Sequence, residues 1–161
     1  MNTNKRQEGF SLIELLIVVA IIGIIAAIAI PNLLSSKRAA NEGSAQSSLR
    51  TVHSSEAVYQ ATKGNGGYGN LADLLGENLV DSVLGAGTKS GYTFAATPDN
   101  TLDPKNFYAT ANPSNVAPIT RTGNRSFTIA EDGILRAKVS DTPPATHAAA
   151  IDSLVWVPMG N

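Results

Sequence analysis

The chain has 161 residues, with 12 Lys and Arg against 13 Asp and Glu, a formal net charge of −1 and no cysteine. That balance argues against a strongly basic nucleic-acid surface, and without cysteine no disulfide can staple the fold. Beyond one long apolar run and the nine residues ahead of it, about 130 residues remain, enough to bury a single core.

The first nine residues form a polar leader that ends at Gly9, with Lys5 and Arg6 just ahead of the apolar run. From Phe10 to Ile30 there are 21 residues, of which Glu14 alone is ionisable. As a helix rising roughly 1.5 Å per residue they span about 31 Å, the thickness of a bilayer's hydrocarbon core. Lys5 and Arg6 hold the N-terminus in the cytoplasm by the positive-inside rule, so the rest of the chain crosses. A charge near the middle of such a span costs about 2.5–3.5 kcal/mol, so Glu14 needs a partner or a task. An ordinary secretory signal would use Ala27-Ile28-Ala29 as its small-x-small site, but the run exceeds the roughly 7–15 residues of an h-region. A plain single-span anchor explains length and orientation. It leaves Glu14 and the abrupt step at Gly9-Phe10 unexplained.

The stretch GFSLIELLIVVAIIGIIAAIAIP, Gly9 to Pro31, closely resembles the N-terminal signature of type IV pilins and of the pseudopilins of type II secretion. The resemblance implies cleavage between Gly9 and Phe10 by a prepilin peptidase on the cytoplasmic face, and methylation of the new amine on Phe10. It makes Glu14 the family's assembly glutamate, Gly23 its helix-weakening glycine and Pro31 its proline. Cleavage would leave 152 residues with an ammonium group one helical turn from Glu14. A carboxylate from the same or a neighbouring subunit could neutralise that ammonium. Such a buried pair adds little net stability, but mismatching it costs about 3–5 kcal/mol, so it sets register between subunits.

After Pro31 the chain keeps a helical character to about Lys63, with Leu34, Ala45, Leu49, Val52 and Tyr59 on one face at 3.6-residue spacing. Ala39, Ala40, Ala45 and Ala57 suit close approach to neighbouring helices. Helix from Phe10 to Lys63 would run roughly 80 Å, too long for a small core, which suits a spine whose first half lies outside its own head. Pro31 removes a helical hydrogen bond and Gly23 lowers propensity by about 1 kcal/mol, so the segment between them is expected to bend or melt when subunits pack.

Four glycines in the six residues from Gly64 to Gly69 stop the helix. Leu71, Leu74, Leu75, Leu79, Val80, Val83 and Leu84 then predict one or two short helices before Gly85-Ala86-Gly87. Three or four strands follow: one alternating from Tyr92 to Thr97, one from Phe107 to Pro113, and Ser126–Ala130 joined through Glu131-Asp132-Gly133 to Ile134–Val139. The Asp-Gly pair predicts a hairpin with positive φ. GYTF at Gly91–Phe94, the aromatic strand ending in Asn112-Pro113, and the RSF…DGILR pattern at Arg125–Arg136 also resemble the head of bacterial prepilins. In the tail, Leu154-Val155-Trp156-Val157 is apolar enough to add a last strand or pack as a clasp.

Catalytic signals are poor. His53 and His147 read as solvated residues, and no metal spacing, Gly-x-Ser-x-Gly elbow or phosphate loop appears. Asp99, Asn100 and Asp103 could touch calcium, yet their density suits an ordinary turn better. Asn124-Arg125-Ser126 is a lone glycosylation sequon.

The expected fold is α+β, a long helical spine packed by its C-terminal half on a small antiparallel sheet in two layers. Its domains are a leader at 1–9, an apolar membrane or filament-core helix at 10–31, an amphipathic continuation at 32–63 and a head at 64–161. The head divides into a connecting loop (64–90), the sheet (91–139) and a tail (140–161). The expected function is structural: a non-enzymatic subunit without cofactor or metal that polymerises with its own kind through the N-terminal helix. Its partners would be prepilin peptidase, inner-membrane assembly machinery and the membrane it spans before assembly. It would move from the inner membrane to an extracellular pilus, or to a periplasmic pseudopilus if it serves secretion. A membrane-tethered periplasmic binding domain or enzyme is the reading from another class.

Overall fold

The computed structural model describes residues 9–159, so the expected leader lies outside the described residues except for Gly9. The chain divides into two compact units, residues 1–36 and 37–161. Helix α1, Leu12–Thr62, is continuous through both Gly23 and Pro31. It begins two residues later than expected, because Ser11 serves as its cap. In the first unit the large apolar side chains from Phe10 to Leu33 are exposed, from 49% at Val18 to 90% at Phe10, and Leu34 is half-buried. Among the described residues, α1 is the one helix long and apolar enough to cross a membrane.

In the second unit, α1 presents Ala45, Leu49 and Val52 fully buried, with Tyr59 packed against the same core. These are the expected face residues. Leu34, expected with them, belongs to the first unit. Two short helices follow, α2 (Leu71–Gly76) and α3 (Ser82–Gly85). Asn70 caps α2 in a full capping box with Asp73, and the Asp81 side chain caps α3. Leu71, Leu74, Val80 and Leu84 reach the core, although Leu79 and Val80 fall in the turn between the helices.

Six strands form one antiparallel meander in chain order: β1 (Thr88–Lys89), β2 (Tyr92–Asp99), β3 (Asn106–Pro113), β4 (Ser126–Ala130), β5 (Arg136–Lys138) and β6 (Val157–Pro158). In β2, Tyr92, Phe94 and Ala96 are buried while Thr93, Ala95 and Thr97 are exposed, the alternation that the sequence predicts. Gly133 has a φ of 70°, as the Asp-Gly pair requires. The connection is wider than a tight hairpin, however, and pairing stops at Thr128↔Arg136. The Asp132 carboxylate accepts the Ile134 N–H at 2.9 Å and grips the Arg136 guanidinium at 2.5 Å, so local side-chain bonds replace ladder bonds there.

All five residues of β4 are buried. Phe127 and Ile129 join the core cluster with Tyr92, Phe94, Leu49 and Val52. Ser126, Thr128 and Ala130 point to the opposite face by strand alternation. A fourth helix, α4 (His147–Ile151), packs on β3 and β4. The tail thus adds cover beyond the two layers expected. The Met159 N–H reaches the Leu135 carbonyl at 2.8 Å, and Trp156 is 2% exposed, so the last apolar residues both add a strand and pack as a clasp.

Candidate assembly and processing site

Gly9 and Phe10 precede α1 and are exposed. A Cβ added to Gly9 would meet nothing within 4 Å, and the same holds at Gly23. The fold therefore places no steric demand for glycine at either position. At the start of α1, the Ser11 carbonyl accepts the Leu15 N–H at 3.2 Å, the first intrahelical bond. The Glu14 carboxylate reaches back to accept the Ser11 N–H at 2.9 Å. Ser11-Leu12-Ile13-Glu14 is thus half of a capping box, in which the third helical residue satisfies an orphan backbone donor. Negative charge in the first turn also complements the helix dipole. The same carboxylate lies beside the residue whose amine cleavage would expose. From Glu14 onward the segment is apolar side chain on every face, with no cover from the described chain.

In the second unit, α1 carries two charged residues that the apolar-face reading missed. Glu42 and Glu56 extend the stripe of Ala45, Leu49, Val52 and Tyr59 at three- and four-residue steps, and both are buried. That spacing was the available signal, masked by the habit of placing glutamate on a solvated face. Glu42 accepts the backbone N–H groups of Asn124 and Arg125 at 2.7 and 3.2 Å and the Arg125 Nε–H at 2.8 Å. One carboxylate therefore pins the entry to β4 onto α1. Glu56 accepts the Gly69 N–H at 2.9 Å, while its other oxygen has no partner. Burial pushes its pKa from 4.5 up to about 7, against the lowering effect of the Gly69 bond and with help from Asp73.

Neither histidine is simply solvated. The half-buried His53 ring lies 6.1 Å from that of Phe107, and His147 Nε2 sits 2.8 and 2.9 Å from the two Glu131 oxygens. Asp99 binds the Thr101 hydroxyl and N–H, which holds its carboxyl below the usual range. Asn100 clasps the Tyr68 backbone through both a donor and an acceptor. These residues serve turns. Among the described residues no group of three His, Cys, Asp or Glu is arranged to hold a metal. In the sequon, Asn124 is exposed but Ser126 is fully buried, with its hydroxyl donated to the Ser140 carbonyl at 2.6 Å.

Residues 4–30 match a protein-family model described as the prokaryotic N-terminal methylation motif. The chain is 33% identical over 131 residues to the type IV wide pilus major component PilA4 of Thermus thermophilus, covering 71% of this chain and 99% of that protein. It is 40% identical over 73 residues to the type IV major pilin protein PilA of Myxococcus xanthus, covering 45% of this chain and 32% of that protein. Against the type II secretion system core protein G of Dickeya chrysanthemi it is 34% identical over 56 residues, 35% of this chain and 37% of that one. The chain thus spans about a third of the Myxococcus and Dickeya proteins and nearly all of the Thermus one. No solved structure matches.

Proposed function

The chain belongs to the type IV pilin family, and from that premise we propose that it is made as a precursor, cut between Gly9 and Phe10 and polymerised through its N-terminal helix into a type IV pilus. The observation that carries the proposal is the apolar segment itself. It displays Phe10, Leu12, Ile13 and the residues after them at roughly half to nine-tenths exposure, with Glu14 as its sole charge. Lipid is one solvent for such a surface, and a bundle of identical helices is the other.

In this reading the bond from Ser11 to Glu14 describes the capped start of the helix, and cleavage places the Phe10 ammonium beside it. The ammonium and the carboxylate of a neighbouring subunit then form the register device. Lys5 and Arg6 set topology before the cut and leave with the leader. The fold places no steric demand for glycine at Gly9, so in this reading the demand comes from a peptidase that draws the backbone close.

A pseudopilin of type II secretion is the second reading, favoured by the relatives named core protein G. Their similarity covers about a third of this chain, whereas the Thermus pilus component is matched over nearly its whole length. That difference in reach favours the pilus.

The test replaces Gly9 by valine. Immunoblots should then show full-length precursor retained in the inner membrane, and electron microscopy of sheared cells should show no fibres. Fibres assembled from uncleaved chains would contradict the proposal. In the unaltered strain, long surface fibres support the pilus, and short periplasmic assemblies support the secretion reading.

A further inference from the structure

Away from α1's apolar segment, the head contains an open cavity of about 850 Å³ that no part of the filament reading uses. It is the meeting point of four segments: the end of α1 with the glycine loop, the β2–β3 loop, the end of β4, and the start of α4. Its walls combine an aromatic ring, two apolar loop residues and side chains that hydrogen-bond.

The polar inventory decides what such a cavity accepts. Asp103 and Glu131 bring two carboxylates, and Lys105 and His147 bring two cationic or cation-forming groups. Glu131 is already engaged with His147 through both oxygens. That leaves Asp103 and Lys105, one charge of each sign, to face a ligand, so the lining does not select strongly for an ion of either sign. Asn106 also lines the cavity, and its side-chain oxygen is buried without a partner. An orphaned acceptor of this kind costs stability unless something donates to it. Lys105 Nζ makes a contact of 3.5 Å with the Asn65 carbonyl, at the outer limit of a hydrogen bond, and can turn to a better acceptor. Gln60 Nε2 contacts the Gly66 carbonyl at the same distance, and the Gln60 side chain also hydrogen-bonds that of Tyr68.

The apolar part of the lining has an equally defined shape. Tyr68 is braced from behind by Phe107, with ring centroids 4.7 Å apart, so the tyrosine is held in a fixed pose. Leu102, 51% exposed, and Pro104 sit on the loop that forms another wall. A ligand that fits must offer a compact apolar face together with several hydroxyl groups that both donate and accept, and it must be uncharged.

We propose that this cavity binds a short neutral carbohydrate, with one sugar ring against Tyr68 and Leu102 and its hydroxyls bonded to Asp103, Asn106, Lys105 and Gln60. Pockets of roughly 300–1,000 Å³ with a few convergent polar groups on an apolar floor are typical of small-molecule sites. The site stands apart from Gly9, Phe10 and Glu14, so it is independent of how the chain is processed.

The test uses the full chain in a zwitterionic detergent, which avoids sugar head groups. Lactose, maltose and diacetylchitobiose would be titrated separately and followed by intrinsic tyrosine and tryptophan fluorescence and by saturation-transfer NMR, with spermidine as the cationic control. At least one disaccharide should saturate with a Kd of about 1 mM or tighter. Asp103→Asn and Asn106→Ala should each weaken it by about tenfold, the loss expected for one hydrogen bond. Gln60→Leu, at a partly exposed helix position, is the variant to rely on if Asn106→Ala fails to fold. No saturation by any of the three sugars would overturn the proposal. So would binding unchanged in all the folded variants, or saturation by spermidine in preference to every sugar.

Discussion

At the scale of single residues, the most consequential side chain in the second unit is Glu56. It is fully buried, bonded by one oxygen to Gly69, and its pKa is raised from 4.5 to about 7 by burial. The folded state therefore holds a proton that the unfolded chain releases. The stability from that proton is fully present below pH 4.5 and is lost as pH rises through about 7. Over that window the loss is about 3 kcal/mol. Thermal unfolding in detergent, followed through the single, buried Trp156, should give a higher midpoint at pH 5 than at pH 8. Glu56→Gln should flatten that dependence and be more stable than the unaltered chain at pH 8. A variant that keeps the full slope would show that another group titrates. Glu14 makes a different prediction. Glu14→Ala makes the span more apolar, so insertion and cleavage should persist, while assembly fails or slows because the Phe10 amine loses its partner. Normal fibre number and length by electron microscopy would rule out a register role.

At the scale of elements, α1 is continuous from Leu12 to Thr62 although it contains Gly23 and Pro31. In lipid it must stay so, because backbone groups there find no other partners. Gly23 and Pro31 remain the weak points, by about 1 and 3 kcal/mol relative to alanine. In the polymer, where neighbours surround the segment, the stretch between them is expected to lose helical bonds and let a filament lengthen under load. A filament map at near-atomic resolution with unbroken α-helical bonds from Phe10 to Lys63 would contradict this. The other elements separate by how strongly their pattern is written. Strand β2 was legible from Tyr92 to Thr97, because three inward residues alternate with the small, exposed Thr93, Ala95 and Thr97, and the short helices because leucines cluster between glycines. Strand β1 has two residues and no periodicity to read, and β6, equally short, was legible only as the apolar end of the tail. Helix α4 was missed because His-Ala-Ala-Ala-Ile in a Pro- and Ala-rich tail offers little, although Thr146 caps it through the Ala149 N–H. The hairpin was read correctly as a turn and too generously as a ladder, since Asp132 prefers Arg136 and the Ile134 N–H to continued pairing.

At the scale of the molecule, the N-terminal methylation motif was legible, because one charge in a membrane-length apolar run is a contrast of sequence alone. What organises the head was less so. The C-terminal region has no disulfide, and several separate contacts hold it. β6 pairs with β5, Arg121 pairs with Asp141 at 2.5 Å, His147 grips Glu131, and Trp156 is buried under Lys138. Each pairs residues far apart in sequence, which no local pattern encodes. The partners of the buried glutamates at 42 and 56 belong to the same class, since they lie on loops, whereas the glutamates' own spacing on α1 was readable. Losing Lys5, Arg6 and Glu8 with the leader would change the net charge from −1 to −2, too little to drive or oppose association. Assembly would then rest on the apolar segment and its single carboxylate.

Mass spectrometry of the N-terminal peptide, taken from sheared and washed surface fibres, tests that claim most directly. The account predicts a peptide that begins at Phe10 and carries one methyl group on its amine. Fibres whose subunits begin at Met1, or at Ile30 after a cut behind Ala29, would contradict it.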